Sequence, residues 1–307
     1  MLKDIRMFLL KKTRKLAVEF FNRDIYDGKL RIYLTLRCNY DCPYCVDNYR
    51  KPDFDGYAYK IRSVEEWATK INELRRDVVF TGGEPFLYKH EGLGLVDLIN
   101  RLHKSVHVSI YSNIGIDLSE QIAKLKRPVK MLISFHSYEA KIPIFMKNID
   151  AVNSHSKIDF RVHIVDAGDN VEQPNVKELR DEMNKRNLPV LIEGDQDFEG
   201  SRRQFRLRAK CSRKIVLLAP DGTRFQCVGK LTRRADHLEN IFDDGLKQDL
   251  NVVDCHEYGF CSACDWMGET KIEVVDKIPI IPSVRDYQHK TYNIKEVELH
   301  KKSNVTT

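Results

Sequence analysis

A chain of 307 residues with 42% hydrophobic side chains can bury one sizeable core and still carry a smaller appended unit. No apolar run reaches the roughly 18–20 residues needed to cross a bilayer, and the start, Met1-Leu2-Lys3-Asp4-Ile5-Arg6, lacks the apolar core and cleavage site of a signal peptide, so a cytoplasmic protein is expected. Eight tightly clustered cysteines then point to metal binding rather than disulfides, and because metal-bound thiolates would offset about half of the formal charge of +6, that charge is weak evidence for a nucleic-acid partner.

Residues 2–25 read as a basic amphipathic helix, with Leu9, Leu10, Leu16, Val18, Phe20 and Phe21 among Lys11, Lys12, Arg14 and Lys15. Packing on the rest of the protein is expected; attachment to a membrane surface is the alternative. From Arg31 short apolar strands alternate with amphipathic helices, the pattern of parallel βα units. Strands are predicted near 31–36, 77–81, 107–111, 130–135, 158–165 and 189–193. Ser63-Val64-Glu65-Glu66 reads as a capping box, and Asp117-Leu118-Ser119-Glu120 supplies capping oxygens ahead of Ile122 and Leu125. Six such units suit a curved parallel sheet related to a (β/α) barrel, with functional residues at the carboxyl ends of its strands. After about residue 200 the rhythm changes: Arg202, Arg203, Arg206 and Arg208 lead into Cys211, and 214–218 pairs with 223–228 across Pro220-Asp221-Gly222 as a hairpin. Four units follow: 1–28, 29–200, 201–275 and a tail, 276–307.

The strongest chemical signal is Cys38-Asn39-Tyr40-Asp41-Cys42-Pro43-Tyr44-Cys45, directly after the first strand. Three thiols in eight residues can converge on one metal centre, and sulfur ligands favour zinc or iron-sulfur clusters. Three local ligands on a four-iron cluster leave one iron open to a small molecule; spacing alone also allows zinc completed by a distant His or Cys. At the end of the second strand stands Phe80-Thr81-Gly82-Gly83-Glu84-Pro85, whose glycines permit close backbone approach and whose Glu84 can pair with an ammonium group.

The cysteine loop, with the aromatic Tyr44 before its third cysteine, resembles the CxxxCxxC signature of the radical S-adenosylmethionine (radical SAM) enzymes, and Gly82-Gly83-Glu84-Pro85 is similar to their GGEP motif. Over roughly residues 30–195 the resemblance implies an α/β fold, a partial (β/α)6 TIM-like barrel binding a [4Fe-4S] cluster and SAM. It implies that Cys38, Cys42 and Cys45 bind three irons, that SAM chelates the fourth, and that Glu84 meets its amino group. Ser112, Asn113 and Ser134 match positions that contact the SAM carboxylate and ribose, although ordinary strand-end polar residues fall there too. The implied chemistry is reductive SAM cleavage to a 5′-deoxyadenosyl radical that takes a hydrogen atom from substrate.

A second group comprises Cys211, Cys227, Cys255, Cys261 and Cys264. Cys211, ten residues, Gly222, four residues and Cys227 resemble the opening of the SPASM and twitch extensions, which implies a small C-terminal domain with a second, auxiliary [4Fe-4S] cluster. Five cysteines are too few for two fully ligated clusters, so Cys211, Cys227, Cys261 and Cys264 are expected as ligands with Cys255 as a spare. A structural zinc ribbon is the other reading.

These expectations describe an oxidoreductase or maturase acting on a small polar metabolite or a peptide, the metabolite placed first because no leader-binding domain precedes the barrel. A low-potential donor such as flavodoxin or ferredoxin would supply electrons; no nucleic-acid or membrane partner is expected. RNA modification, drawing on Lys124, Lys126 and Arg127 and on the arginines at 202–208, and a non-enzymatic zinc module are the competing readings. Substrate-site candidates at strand ends are Tyr111, His136, His163, Glu193 and Asp195.

Overall fold

Each of the six segments of alternating apolar residues forms a strand. A computed structural model of the chain describes residues 28–42, 45, 59–166, 173–194, 205–213, 215–246, 252–258 and 270–279. In it β1 (Leu30–Thr35), β2 (Val78–Gly82), β5 (Val108–Ser112), β6 (Val129–Phe135), β7 (Ile158–Asp166) and β8 (Val190–Gly194) lie side by side in chain order and pair in parallel. Helices Val64–Leu74, Leu95–Arg101, Ser119–Ala123, Ile142–Ser154 and Pro174–Lys185 make the crossovers, and a small ribbon, β3 (Lys89–His90) and β4 (Leu93–Gly94), precedes the second helix. The result is an α/β fold, an open, partial (β/α)6 barrel.

Strand alternation sorts the two faces of the sheet. On β6, Val129, Met131, Ile133 and Phe135 are buried with Trp67, Leu98, Ile99 and Phe145 from the helices in one core, while Lys130, Leu132 and Ser134 occupy the other face. Ser63 caps its helix as predicted: its Oγ accepts from Glu66 N at 3.1 Å, and Glu66 Oε2 accepts from Ser63 N at 2.7 Å. At the next expected start Asp117 lies one residue outside the cap, Leu118, and its Oδ1 instead accepts from the Ser119 amide at 3.1 Å and hydroxyl at 2.7 Å.

The predicted hairpin forms from β10 (Val216–Leu218) and β11 (Arg224–Phe225), but it does not stand apart. β10 pairs in parallel with β1, Leu30 opposite Val216 and Ile32 opposite Leu218, so the sheet has eight strands and only β11 is antiparallel. Tyr33, Tyr59, Leu217, Phe225 and Leu231 make a second, smaller core there, and Tyr59 Oη donates to Leu231 O at 2.6 Å. A separate antiparallel sheet, absent from the sequence reading, runs β12 (Val252–Tyr258), β9 (Phe205–Arg213), β13 (Thr270–Pro279). The expected helix at 2–25 and the tail lie outside the described residues, and no described helix is long and apolar enough to cross a membrane.

The basic patch at Lys124, Lys126 and Arg127 is partly committed to structure. Arg127 Nη1 donates to Leu102 O at 2.6 Å and His103 O at 3.2 Å, and Nη2 donates to Val106 O. This guanidinium closes a turn rather than facing a polyanion.

The fully buried Trp67 packs edge-to-face on Phe242 at 5.1 Å, joining the first helix to the chain beyond the hairpin. Trp67→Ala is expected to cost about 3–5 kcal/mol, read as a lower urea midpoint at unchanged m-value.

Candidate functional site

The carboxyl ends of β1 and β2 meet through backbone contacts that only glycine permits. Gly83 N donates to Thr35 O at 3.1 Å and Glu84 N to Arg37 O at 2.7 Å, which pins the turn after β2 against the start of the cysteine loop. A Cβ at Gly82 would stand 2.2 Å from Thr35 O, and one at Gly83 would stand 2.0 Å from Arg37 O. Gly82 also holds φ at +136°, which L side chains rarely adopt. The close approach expected of this pair is therefore to the cysteine loop's own backbone.

Glu84 is fully buried. Its Oε1 accepts from Ser112 Oγ at 2.9 Å and from Phe86 N at 3.1 Å, and its Oε2 accepts from Asn113 N at 2.9 Å. Both carboxylate oxygens thus tie the end of β2 to the end of β5. Burial outweighs these three donors and pushes the carboxyl up from 4.5 to about 7.

The cysteine loop lies across this junction. Cys38 and Cys45 are exposed and Cys42 is buried, with Cys45 N donating to Cys42 O at 3.1 Å. Cys38 Sγ accepts from Tyr40 N at 3.4 Å and from Asn113 Nδ2 at 3.5 Å. Burial raises the Tyr40 phenol well above its ordinary value, with smaller contributions from Cys42, Glu84 and Cys38 around it. The Tyr40 ring meets His136 edge-on at 6.0 Å. Tyr44 and Pro43 lie outside the described residues, and among those described no three Cys, His, Asp or Glu side chains stand at metal-binding separation.

Of the remaining candidates, Ser134, His163 and Tyr111 lie on the concave face. Ser134 on β6 is the register partner of His163 on β7, and Glu193 on β8 is that of Val165. Burial, with a smaller contribution from His163, holds His136 neutral, its pKa pushed down to about 3. Tyr111 sits deeper in the sheet, its ring 5.7 Å from the Arg31 guanidinium carbon. Asp195, Cys261 and Cys264 lie outside the described residues.

In the C-terminal sheet, Cys211 pairs with Val253 and Ala209 with Cys255, so strand alternation puts Cys211 and Cys255 on one face as diagonal neighbours. Cys227 opens the helix Val228–Arg233, and the adjoining Gln226 donates to Cys211 O and Cys211 Sγ, each at 3.1 Å.

The sequence reading overlooked Asn148. This fully buried amide on the helix Ile142–Ser154 accepts from Leu118 N at 2.9 Å and donates to Ile114 O at 2.8 Å and Ile116 O at 2.6 Å, clamping the loop after β5. A lone Asn inside an apolar helix face was the available signal.

A partial barrel with clustered cysteines after its first strand and a glycine turn pinned just ahead of them sets the class of the protein, an α/β-barrel enzyme with thiols at the carboxyl edge of its sheet. Residues 32–199, more than half of the chain, match the Radical SAM superfamily, and the protein belongs to that superfamily. Membership implies a [4Fe-4S] cluster and SAM, and the donor set suits them: three thiols, one with two N–H donors on its sulfur. Among solved structures the chain is similar to Streptococcus suis SuiB bound to S-adenosylmethionine, at 14% identity and a TM-score of 0.46, over 77% of this chain and 69% of that one. It is also similar to BtrN in complex with AdoMet and 2-DOIA, at 12% identity and a TM-score of 0.39, over 72% of this chain and 81% of that one. No curated protein matches the chain.

Two outcomes follow from this geometry. Gly83→Ala drives a methyl into Arg37 O and should displace the cysteine loop, lowering iron uptake at this site severalfold on anaerobic reconstitution while far-UV circular dichroism is retained. For the apo-protein, a carboxyl raised to about 7 in the folded state favours folding while protonated. Its contribution is full below about pH 4.5 and is lost as pH rises to about 7, on the order of 3 kcal/mol. Glu84→Gln should flatten that slope in urea titrations, at a constant cost of about 1–3 kcal/mol because an amide cannot accept from both sides.

Proposed function

We propose that the protein is a radical SAM oxidoreductase that removes hydrogen from a small polar molecule, with a second cluster in its C-terminal segment. The observation that carries this is the bonding of the Gly82–Pro85 turn to Thr35 O and Arg37 O, immediately ahead of Cys38, with Asn113 Nδ2 and Tyr40 N donating to Cys38 Sγ. Cys38, Cys42 and Cys45 would hold the first cluster. When bound, that cluster with SAM supplies the one-electron cleavage that makes a carbon radical able to abstract hydrogen.

The chain's own residues bind and orient. Glu84 ties the glycine turn to the loop after β5 through Ser112 Oγ and Asn113 N; we assign Ser112, Asn113 and Ser134 to the cofactor, Ser112 acting through its bond to the buried Glu84. His163 on β7 is the register partner of Ser134, His136 follows β6, Glu193 lies on β8 and Tyr111 on β5, and these are the residues we assign to substrate together with Asp195, which lies outside the described residues. With its pKa near 3, His136 serves as a neutral hydrogen-bonding group at pH 7 and not as a general base.

The core spans 29–200, and a cluster-binding unit spans 201–275 whose hairpin also completes the core's sheet. The auxiliary cluster is assigned to Cys211, Cys227, Cys261 and Cys264, with Cys255 able to replace either of the last two. Supporting this are the shared face of Cys211 and Cys255 and the Gln226 bridge beside Cys227. Four protein ligands would leave such a cluster no open iron, which suits it to carry an electron away from substrate; a low-potential donor such as flavodoxin or ferredoxin would serve the first cluster. A peptide is the alternative substrate class. Cysteines read as metal ligands suit a reducing, cytoplasmic setting.

Anaerobically reconstituted protein is expected to hold about eight iron and eight sulfide per chain and, with strong reductant, to release 5′-deoxyadenosine from SAM. Deuterium from labelled substrate should appear in that product. A fully loaded protein that leaves SAM intact would overturn the proposal, and about four irons with bound zinc would remove the auxiliary cluster.

A further inference from the structure

Asn113 is oriented by contacts that leave one of its N–H bonds aimed at sulfur. Gly115 N donates to Asn113 Oδ1 at 2.7 Å, and a backbone amide can only donate, so the oxygen must lie on that side. The amino group is then turned to Asn39 and Cys38. One N–H meets Asn39 Oδ1 at 3.1 Å and the other meets Cys38 Sγ at 3.5 Å, while Asn39 Nδ2 returns a bond to Asn113 Oδ1 at 3.3 Å. Every donor and acceptor of the side chain has a partner in this arrangement, and flipping the amide would set N–H against N–H at Gly115.

The backbone holds it there as well. Asn113 N is anchored on Glu84 Oε2, and the next residue, Ile114, is a buried β-branched residue at φ +43°. That conformation costs on the order of 1–2 kcal/mol and persists because the neighbours over-determine it. Ile114 N donates to Ser112 Oγ at 3.0 Å, and Ile114 O accepts from Asn148 at 2.8 Å.

We infer that Asn113 is a positioning residue for the cluster itself, a neutral N–H donor to the Cys38 thiolate that raises the reduction potential of the SAM-binding cluster. The inference rests on the radical SAM reading and goes beyond a contact with SAM. The physical cause is general: an N–H pointed at a ligating sulfur draws off negative charge and stabilises the reduced cluster. Tyr40 N, at 3.4 Å, is a backbone donor to the same sulfur and survives any side-chain change, so Asn113 is the adjustable member of the pair.

The test uses the whole chain, reconstituted without oxygen, as wild type, Asn113→Ala and Asn113→Asp, with the cluster potential titrated by electron paramagnetic resonance in the absence of SAM. Alanine removes the donor. Aspartate keeps the acceptor for Gly115, and so the loop, but sets an oxygen against sulfur. The expected order of potentials is wild type highest, alanine lower, aspartate lowest. For alanine the ratio of reduced to oxidised cluster at a fixed poise should fall about tenfold, equivalent to 59 mV for a one-electron couple. Wild-type Fe–S stretches should also shift in D2O, and alanine should lessen that shift. A purely structural role predicts aspartate nearer to wild type than alanine, and that order, or unchanged potentials in iron-replete variants, would overturn the inference. Wild type that itself takes up no iron would overturn the family chemistry beneath it as well, and is recognised by a colourless wild type.

Discussion

Glu84 is the interaction on which the mouth of the barrel depends. An ionisable carboxyl with no exposed surface is costly, and three donors from two places in the chain converge on it: Phe86 N from its own turn, Ser112 Oγ and Asn113 N from the end of β5. The same residue's amide reaches Arg37 O, so a single position links the ends of β1, β2 and β5. Removing it would separate the elements that carry the cysteine loop, the glycine turn and the Asn113 loop. The raised carboxyl follows from this arrangement, because burial is the larger influence and the three hydrogen bonds oppose it only in part.

The loop after β5 shows how precision is obtained from an unfavourable backbone. Ile114 takes a left-handed conformation better suited to glycine or asparagine, and it is held by Ser112 on one side and Asn148 on the other. Asn148 lies about 30 residues further along the chain, and it satisfies three backbone groups of a segment that belongs to no strand. A loop fastened in this way presents Asn113 in one orientation, as a group acting on a ligating sulfur must be.

Much of the frame was legible in the sequence. Alternating Val, Ile and Phe located all six barrel strands to within a residue or two, and Ser63 with Glu66 announced a helix start that the reciprocal bonds bear out. The Gly-Gly-Glu-Pro turn was legible as a site element, but the glycines' contact with Thr35 O and Arg37 O was not, since it joins residues nearly 50 apart. Asn148 escaped notice because a polar residue within an amphipathic helix ordinarily faces solvent. The pairing of β10 with β1 was equally invisible: short apolar segments carry no record of a partner some 186 residues away. The third sheet escaped too, because its strands read as basic or mixed stretches without a clean alternation.

That remote pairing has a consequence for how the protein is made. β1 acquires its outer neighbour only when residues 216–218 have been synthesised, after the other five barrel strands are complete. Until then a wholly buried strand, Leu30–Thr35, presents an open edge to the cell. A nascent chain halted between the last barrel strand and the hairpin would offer that edge to other chains, making this interval the one in which a ribosome-bound chaperone matters most.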